Sequence, residues 1–188
     1  MIVKKKIKKS KSKLATPFLL DIGCGNSKQG PHWIGMDKRK LDGVDIIHDL
    51  EKVPYPIEKE SVTTVVASHV LEHVKPWLVL DVFNEIWRIL RPEGQFAIAV
   101  PYGVNDHYVQ DPTHCTPFNE ISFFYFDPFP EAMGWKEVKN KKTGIYEITE
   151  KGKHNGLYQF YTPPPWKIIL ATWKGDGNME VILEKRRR

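Results

Sequence analysis

The stretch FLLDIGCGNSKQGPHWIGMD, residues 18–37, places a glycine-rich turn between two strand-like runs that lie too close together for a full helix. The runs at 18–22 and 33–37 are typical of strands buried on both faces. Only residues 23–32 separate them, and Gly30-Pro31 prevents a regular helix there. Since a crossover between parallel strands normally takes about a dozen residues or more, we expect a loop or a single turn.

The next seventy residues alternate between strand and helix patterns. Apolar residues with a period near 3.6 indicate a helix, which Pro92 and Gly94 end, and β-branched or apolar runs indicate strands. This alternation predicts a parallel sheet whose ligand site lies at the carboxyl ends of the strands. The predicted segments are strands at 44–49, 61–68 and 95–101 and a helix at 77–90, and the strand ends fall at 22–25, 37, 49, 68 and 101.

Beyond residue 101 the pattern is less regular. Residues 116–127 are typical of a helix with Thr116 as its N-cap, and 135–151 of a polar hairpin. KIILATW and MEVILEK, joined by KGDGN, predict a closing antiparallel hairpin. We therefore expect one α/β domain with a doubly wound, mostly parallel sheet, an antiparallel C-terminal hairpin and a shortened or missing first crossover helix.

Charge and composition bound the domain and its surroundings. The net charge is +5, and much of it lies at the two ends of the chain. We expect a disordered basic tail at 1–14, a domain at 15–184 with a substrate-side insertion at 103–166, and a second basic tail at 185–188. The tails are either solvated ends or contacts for nucleic acid. Two cysteines and no apolar run of about 20 residues predict a cytoplasmic protein without a membrane span.

The glycine turn disfavours a phosphate ligand. A dinucleotide-binding loop needs a third glycine where this chain has Lys28, followed by a helix whose N-terminus holds the pyrophosphate. An NAD-dependent oxidoreductase is therefore disfavoured. A ligand with a nucleoside but no phosphate needs only glycines, here Gly23 and Gly25, and a carboxylate for the ribose. Asp37, 16 residues after Asp21, is placed to supply it.

At these positions the chain resembles the class I, Rossmann-like S-adenosylmethionine-dependent methyltransferases, and in particular the compact type 11-like branch. LLDIGCGNS is similar to their first motif, and GMD to the acid that ends their second strand. IIHDLEKVPYP, SVTTVVASHVLEHV and NEIWRILRPEGQFAIAVPYG resemble the later motifs in the right order. The resemblance spans about residues 18–102 and is loose in the rest of the chain.

The resemblance implies roles for residues at the strand ends, with S-adenosylhomocysteine as the product. The glycine turn permits close approach, Asp21 anchors the amino-acid end, and Asp37 accepts hydrogen bonds from the ribose hydroxyls. Asp49 and the backbone of Leu50 flank the adenine, and the residues after the fourth strand line the methionine and sulfonium side. The implied cofactor site consists of Asp21, Ile22, Gly23, Cys24, Gly25, Asp37, Asp49, Leu50, Ser68, His69 and Leu71.

HVLEH, residues 69–73, is the first of two histidine motifs. Histidines four apart on a helix can bind zinc, but the order of residues is not H-E-x-x-H, and the resemblance already accounts for LEH. We therefore predict no metal site.

DHYVQDPTHCTPF, residues 106–118, is the second and follows the fifth strand. Three interpretations stay open: a structural loop, a supply of acid and base with His114 or His107 taking the acceptor's proton, and a metal site. We choose His114, with His107 second, because DPTHCTPF resembles a loop of small-molecule methyltransferases.

The combined interpretation is an enzyme that transfers a methyl group to an O or N atom of a small molecule. Two alternatives stay open: an RNA or protein methyltransferase that uses the basic tails, and a non-catalytic protein of the same fold that binds the cofactor. The sequence defines neither the acceptor nor the oligomeric state.

Overall fold

The main sheet of the protein has seven strands. A computed structural model describes residues 17–127, 138–139, 146–147 and 164–186. A separate two-stranded pair is formed by β6 and β7. The strands are β1 Phe18–Ile22, β2 Trp33–Asp37, β3 Ile46–Ile47, β4 Val62–Ser68, β5 Leu90–Pro101, β6 Val138–Lys139, β7 Tyr146–Glu147, β8 Trp166–Trp173 and β9 Asn178–Lys185.

The order of the seven strands is β3-β2-β1-β4-β5-β9-β8. The first five are parallel to one another, while β9 pairs antiparallel with both β5 and β8. The expected α/β, Rossmann-like fold with a mostly parallel sheet and an antiparallel C-terminal hairpin is thereby confirmed. The chain reverses its direction of progress across the sheet between β1 and β4, which is the position where such sheets bind ligands.

The crossover from β1 to β2 contains no helix in the described chain, as its length and Gly30-Pro31 predict. Its backbone is held by turns and by a side chain instead. The Ser27 amide donates to the Cys24 carbonyl at 3.3 Å, and the Gln29 amide donates to the Asp21 carboxylate at 2.9 Å. A buried aspartate at the end of β1 thus takes up a backbone donor that a helix would otherwise satisfy.

The principal helix, α1 Val79–Ile89, joins β4 to β5 and packs its apolar face on the sheet. Two short 3-10 turns, Leu71–His73 and Pro76–Leu78, precede it. Phe83 lies edge-on to Phe96 of β5, with ring centroids 5.5 Å apart, and stacks on Phe126 at 4.0 Å. The helix and the segment around Phe126 therefore share one hydrophobic core with the sheet.

RPEG ends α1 as predicted, but it does so inside β5. Val62 pairs with Leu90 and Thr64 with Gln95, so four residues of β5 face one residue of β4. Glu93 takes a positive φ of 63°, and a Cβ on Gly94 would lie 2.8 Å from the Arg91 carbonyl oxygen. The segment is therefore an extended bulge within the strand.

Residues 116–127 form a shorter helix than predicted, α3 Glu120–Phe124, while α2 spans Asp106–Val109. Thr116 is not the N-cap, because its hydroxyl donates to the Val74 carbonyl at 2.5 Å. Asn119 caps α3 and forms a capping box with Ser122.

Two other predicted boundaries are wrong at their ends. The strand expected at 44–49 is reduced to Ile46–Ile47, because the Asp45 side chain accepts from the Gly35 amide at 2.8 Å. The basic tail does not begin at residue 185. Lys185 ends β9 with 2% of its side chain exposed, its ammonium group donates to the Leu90 carbonyl, and the buried Arg186 pairs with Asp127 at 2.9 Å.

The remaining sequence predictions fall largely outside the described residues. Of the hairpin expected at 135–151, the structure describes only Val138–Lys139 and Tyr146–Glu147, which pair antiparallel. The N-terminal tail at 1–14 lies outside the described part of the chain, as does most of the second half of the insertion at 103–166.

Gly35 on β2 offers a test of the packing that replaces the first helix. A Cβ at this position would lie 2.3 Å from the Gly43 carbonyl oxygen and 2.7 Å from the Cys24 sulfur. We expect Gly35→Ala to lower the free energy of unfolding by about 1–3 kcal/mol, because the two loops must move apart. Urea unfolding measures it. Gly175→Ala, whose Cβ meets nothing within 4 Å, is the control and should change stability by less than about 0.5 kcal/mol; equal effects of both variants would contradict the account.

Candidate active site

A pocket of about 730 Å³ opens at the carboxyl edge of the sheet, beside the point where the strand order reverses. Its walls come from the ends of four neighbouring strands, as the sequence predicts. Gly23 follows β1, Asp37 ends β2, Asp49 and Leu50 follow β3, and His69 follows β4. The volume lies in the range of pockets that enclose one small ligand.

The glycine turn after β1 brings backbone to the pocket wall. Gly23 and Gly25 have φ values of 68° and 58°, a region that favours glycine. A Cβ on Gly23 would lie 2.4 Å from a methyl carbon of Val70, so any side chain there would collide with the turn after β4. Near Gly25 a Cβ would meet only the Arg39 guanidinium, at 3.8 Å. The turn thus requires glycine for its geometry at both positions and for close packing at Gly23.

The Asp37 carboxylate is the most heavily hydrogen-bonded acid of the pocket. Its Oδ2 accepts from the Gly25 amide at 3.1 Å, and its Oδ1 accepts from the Arg39 amide at 2.9 Å. The Arg39 guanidinium adds one hydrogen bond to each oxygen, at 3.1 and 3.2 Å. Burial raises the pKa of Asp37, but these donors outweigh it and hold the pKa below its ordinary value.

Six predicted cofactor residues lie next to the pocket without lining it, and one of them is Gly25. The side chains of Ile22 and Leu71 are buried in the core, so only their backbone atoms are available to a ligand. Asp21 is buried against the glycine loop, and burial raises its pKa more than the Gln29 amide lowers it. Burial and nearby carboxylates raise the pKa of the Cys24 thiol to about 11. Ser68 is exposed at the end of β4.

The wall opposite the glycine turn carries residues that the sequence analysis does not name. The Lys75 ammonium pairs with the Glu51 carboxylate, which also accepts from the Lys75 amide at 2.9 Å. Further lining comes from Lys38, Arg39, Val70, His73, Val74 and Cys115. Four of these eight residues, Lys38, Glu51, Val70 and Cys115, directly follow a predicted site residue, and that adjacency is the signal that could have indicated them.

A histidine and carboxylate cluster lies beside the pocket. Glu72 is 1% exposed, and its Oε1 lies 3.5 Å from His69 Nδ1 and 3.9 Å from His114 Nε2. The rings of His73 and His114 have centroids 4.8 Å apart. Burial raises the pKa of Glu72, although the neighbouring histidines act in the opposite direction. The structure therefore joins the two predicted histidine motifs, 69–73 and 106–118, in one place.

The two candidate catalytic histidines have different surroundings. The His114 side chain is 9% exposed and faces Glu72 and Asp111. His107 is exposed on α2, where its amide donates to the Asn105 side chain at 2.7 Å. Of these two candidate catalytic histidines, only His114 belongs to the cluster around Glu72. The residues of the cluster that the sequence assigns to no function are Glu72 and His73.

The comparisons with known proteins agree with this geometry. Residues 31–98 match the model of the type 11 methyltransferase family, described as "Methyltransferase domain". A SAM-dependent methyltransferase from Archaeoglobus fulgidus has a similar structure, with a TM-score of 0.56, 17% identity, and coverage of 91% of this chain and 87% of that chain. No curated protein matches the sequence.

A second similar structure is a 1,6-didemethyltoxoflavin-N1-methyltransferase from Burkholderia thailandensis, solved with bound 1,6-didemethyltoxoflavin and S-adenosylhomocysteine. Its TM-score is 0.50, at 13% identity, with 90% of this chain and 71% of that chain covered. At these identities the two structures establish the fold. No helix in the described part of the chain is long and apolar enough to span a membrane.

The low pKa of Asp37 makes a pH-dependent contribution to stability. We expect Asp37→Asn to lower the free energy of unfolding at pH 7 by about 1.5 kcal/mol, because the charged hydrogen bonds are weakened. The folded carboxylate has the lower pKa, so the unfolded state binds the proton first. The advantage of the wild type is therefore complete above the ordinary aspartate pKa of 3.8 and disappears as the pH falls further.

Urea unfolding from pH 7 to pH 3 measures this difference. Asp42→Asn, on the exposed loop after β2, is the matched control, and we expect it to behave as the wild type throughout. A wild-type advantage that persists unchanged at pH 3 would rule out the titration of Asp37 as its source.

Proposed function

We propose that this chain is a class I S-adenosylmethionine-dependent methyltransferase of the type 11 branch and that its acceptor is a small molecule methylated on an O or N atom. The cofactor is S-adenosylmethionine, and the product is S-adenosylhomocysteine. The observation that carries the proposal is the Asp37 carboxylate, which ends β2 in the pocket wall and is held by the amide of the glycine turn.

The pocket residues fit the chemistry of the cofactor. Gly23 and Gly25 bring backbone close enough for contact, and Asp37 offers two oxygens to the two ribose hydroxyls. Asp49 and the Leu50 backbone would flank the adenine at the far end of the wall. The methionine and sulfonium side would face the glycine turn and the residues after β4. The proposed set for that side is Asp21, Ile22 and Cys24 from the first strand end, and Ser68, His69 and Leu71 from the fourth.

Arg39 requires an exchange of hydrogen bonds when the ribose enters. Its guanidinium occupies both oxygens of Asp37, yet 61% of the Arg39 side chain is exposed. We propose that the ribose hydroxyls replace the two guanidinium donors, while the amides of Gly25 and Arg39 keep the carboxylate in place. The exchange costs little because an exposed guanidinium regains water as it leaves.

In methyl transfer, the main task of the protein is to align the acceptor with the methyl group and the sulfur of the cofactor. The sulfonium is an activated methyl donor, so holding acceptor, methyl and sulfur in line supplies much of the rate acceleration. Deprotonation matters only when the acceptor is a hydroxyl or a protonated amine. The residues for the acceptor would come from the segment after β5, whose His114 lies beside the pocket residue His73.

Among the candidates for the acceptor's proton, His114 is better supported than His107. His114 Nδ1 lies 2.9 Å from the Tyr108 carbonyl oxygen, so it donates there and Nε2 is the nitrogen left to act. The exposed His107 interacts instead with the carboxylate of Asp176, which is itself exposed. We propose His114 as the catalytic residue and keep His107 as the second candidate.

A small-molecule acceptor is supported by the volume of the described pocket, about 730 Å³, and by the toxoflavin methyltransferase of similar fold. An RNA or protein acceptor would depend on the basic residues 4–13, which lie outside the described chain. Two free cysteines are in keeping with a reducing compartment such as the cytoplasm.

Cofactor binding is tested by calorimetry with S-adenosylhomocysteine. We expect the wild type to bind it, and Asp37→Asn to bind about 10- to 100-fold more weakly, because a charged acceptor for the ribose hydroxyls is lost. Asp42→Asn is the control and should bind as the wild type. Binding of NAD in place of S-adenosylhomocysteine would contradict the proposed function.

The acceptor is tested with methyl-labelled donor offered to pools of small molecules, RNA and protein. We expect label in the small-molecule pool. Label in RNA, with binding that falls steeply as salt rises and is lost without residues 1–13, would replace the small-molecule proposal.

With the acceptor found, we expect His114→Ala to lower kcat about 100-fold or more and leave S-adenosylhomocysteine affinity within about twofold. The exposed His32→Ala is the control. An unchanged kcat in a folded His114→Ala variant would remove His114 from the mechanism.

A further inference from the structure

The Glu72 carboxylate is buried without a hydrogen-bond donor. Neither of its oxygens has a hydrogen-bond partner among the described residues, and the nearest basic atoms are histidine nitrogens at 3.5 and 3.9 Å. A buried ionised carboxylate is stable only when it is paired or coordinates a metal. Among the described residues, neutral histidines would therefore leave the Glu72 carboxylate without a counter-charge.

His114 directs a lone pair at this carboxylate. Its Nδ1 lies 2.9 Å from the Tyr108 carbonyl oxygen, which can only accept, so the ring hydrogen is on Nδ1. In the neutral ring Nε2 then carries a lone pair, and it faces Glu72 at 3.9 Å and Asp111 at 3.7 Å. A lone pair and two carboxylates facing one another repel unless a cation lies between them.

His73 also carries its ring hydrogen on Nδ1, but a different partner accepts it. The Thr113 hydroxyl donates its hydrogen to Asp111 at 2.7 Å, so it accepts from His73 Nδ1 at 3.0 Å. The second nitrogen of His73 is left with its lone pair. Metal-binding histidines commonly donate the other ring hydrogen to an oxygen in this way, because that contact sets the tautomer and orients the ring.

We propose that Glu72, His73 and His114 bind a divalent transition-metal ion, for which Zn²⁺ is the probe. One ligand atom from each residue lies within 4.8 Å of the others. Two imidazole nitrogens and one carboxylate oxygen form a ligand set that Zn²⁺ and its first-row neighbours accept, with positions left for water or substrate. Binding would draw the three groups together around the ion.

This site differs from the one that HVLEH suggests in the sequence. His69 has a positive φ of 51° and is followed by a 3-10 turn, so His69 and His73 do not share an α-helical face. The partner of His73 is instead His114, 41 residues further along the chain. The expectation of no metal site rested on the order of residues in HVLEH and on the resemblance that accounts for LEH, and neither takes account of this contact across the chain.

The position of the ion has a consequence that rests on the proposed function. His73 also lines the pocket, so the ion would lie at the acceptor side, where it can lower the pKa of a hydroxyl group. With the ion bound, His114 Nε2 would be a metal ligand and not the base, and the acceptor hydroxyl would release its proton to water.

Metal binding is tested directly on the full-length, chelator-treated protein by Zn²⁺ titration in competition with a chromophoric chelator. We expect one equivalent to bind to the wild type. His73→Ala, His114→Ala and Glu72→Gln should each weaken binding by about 100-fold or more, since each removes one of three ligands. His32→Ala, which removes an exposed histidine outside the cluster, should bind as the wild type.

Circular dichroism and urea unfolding show that the variants are folded. His73 is exposed, so His73→Ala keeps the test valid even where a buried substitution disturbs packing. Failure of the wild type to bind Zn²⁺, or equal binding by wild type and His73→Ala, would overturn the proposal and leave a protonated histidine as the partner of Glu72. Because S-adenosylhomocysteine binding is measured separately, either result leaves the methyltransferase proposal to its own test.

Discussion

The hydrogen bond from the Gly25 amide to the Asp37 carboxylate is the contact on which the site depends. It joins the turn after β1 to the end of β2. Parallel neighbouring strands usually obtain this connection through a helix whose N-terminal amides face the ligand. Here ten residues separate the strands, and the buried Asp21 and Asp37 take the amides of Gln29 and Gly25 instead. A cofactor with no phosphate makes this substitution possible. It has no phosphate that requires a helix N-terminus, whereas its ribose hydroxyls do require a hydrogen-bond acceptor.

The charged residues around the pocket form pairs of an acid in the wall and an exposed base. Asp37 and Glu51 lie in its wall, and each has a basic partner nearby in sequence or across the opening, Arg39 or Lys75. Both basic side chains are at least half exposed, so the ion pairs are weak and readily exchanged. These basic partners keep the two carboxylates ionised in the absence of ligand. A polar ligand can replace them as hydrogen-bond donors at a small cost in free energy.

The pattern of apolar residues and the spacing of chain-breaking residues predicted the elements whose structure is determined by residues close by in the sequence. Most of the strands, the missing crossover helix, the end of α1 before RPEG and the position of the pocket at the strand ends all follow from apolar runs and chain-breaking residues. The errors occur where a distant contact decides. Thr116 donates to Val74 and leaves the N-cap to Asn119, and Arg186 is drawn from a charged tail into the core by Asp127. Neither partner is visible from periodicity.

The candidate site shows the same division. Acids and glycines at strand ends are recognisable because the end of each strand can be located from its local sequence. The cluster around Glu72, in contrast, forms only when the loop after β5 packs against the turn after β4. The Cys115 and Thr116 amides both donate to the Glu72 carbonyl, at 2.9 and 3.1 Å. These two bonds clamp the loop that carries His114 onto the turn that follows β4. The loop that carries His114 is therefore held by backbone hydrogen bonds directly against the turn that contributes to the pocket wall.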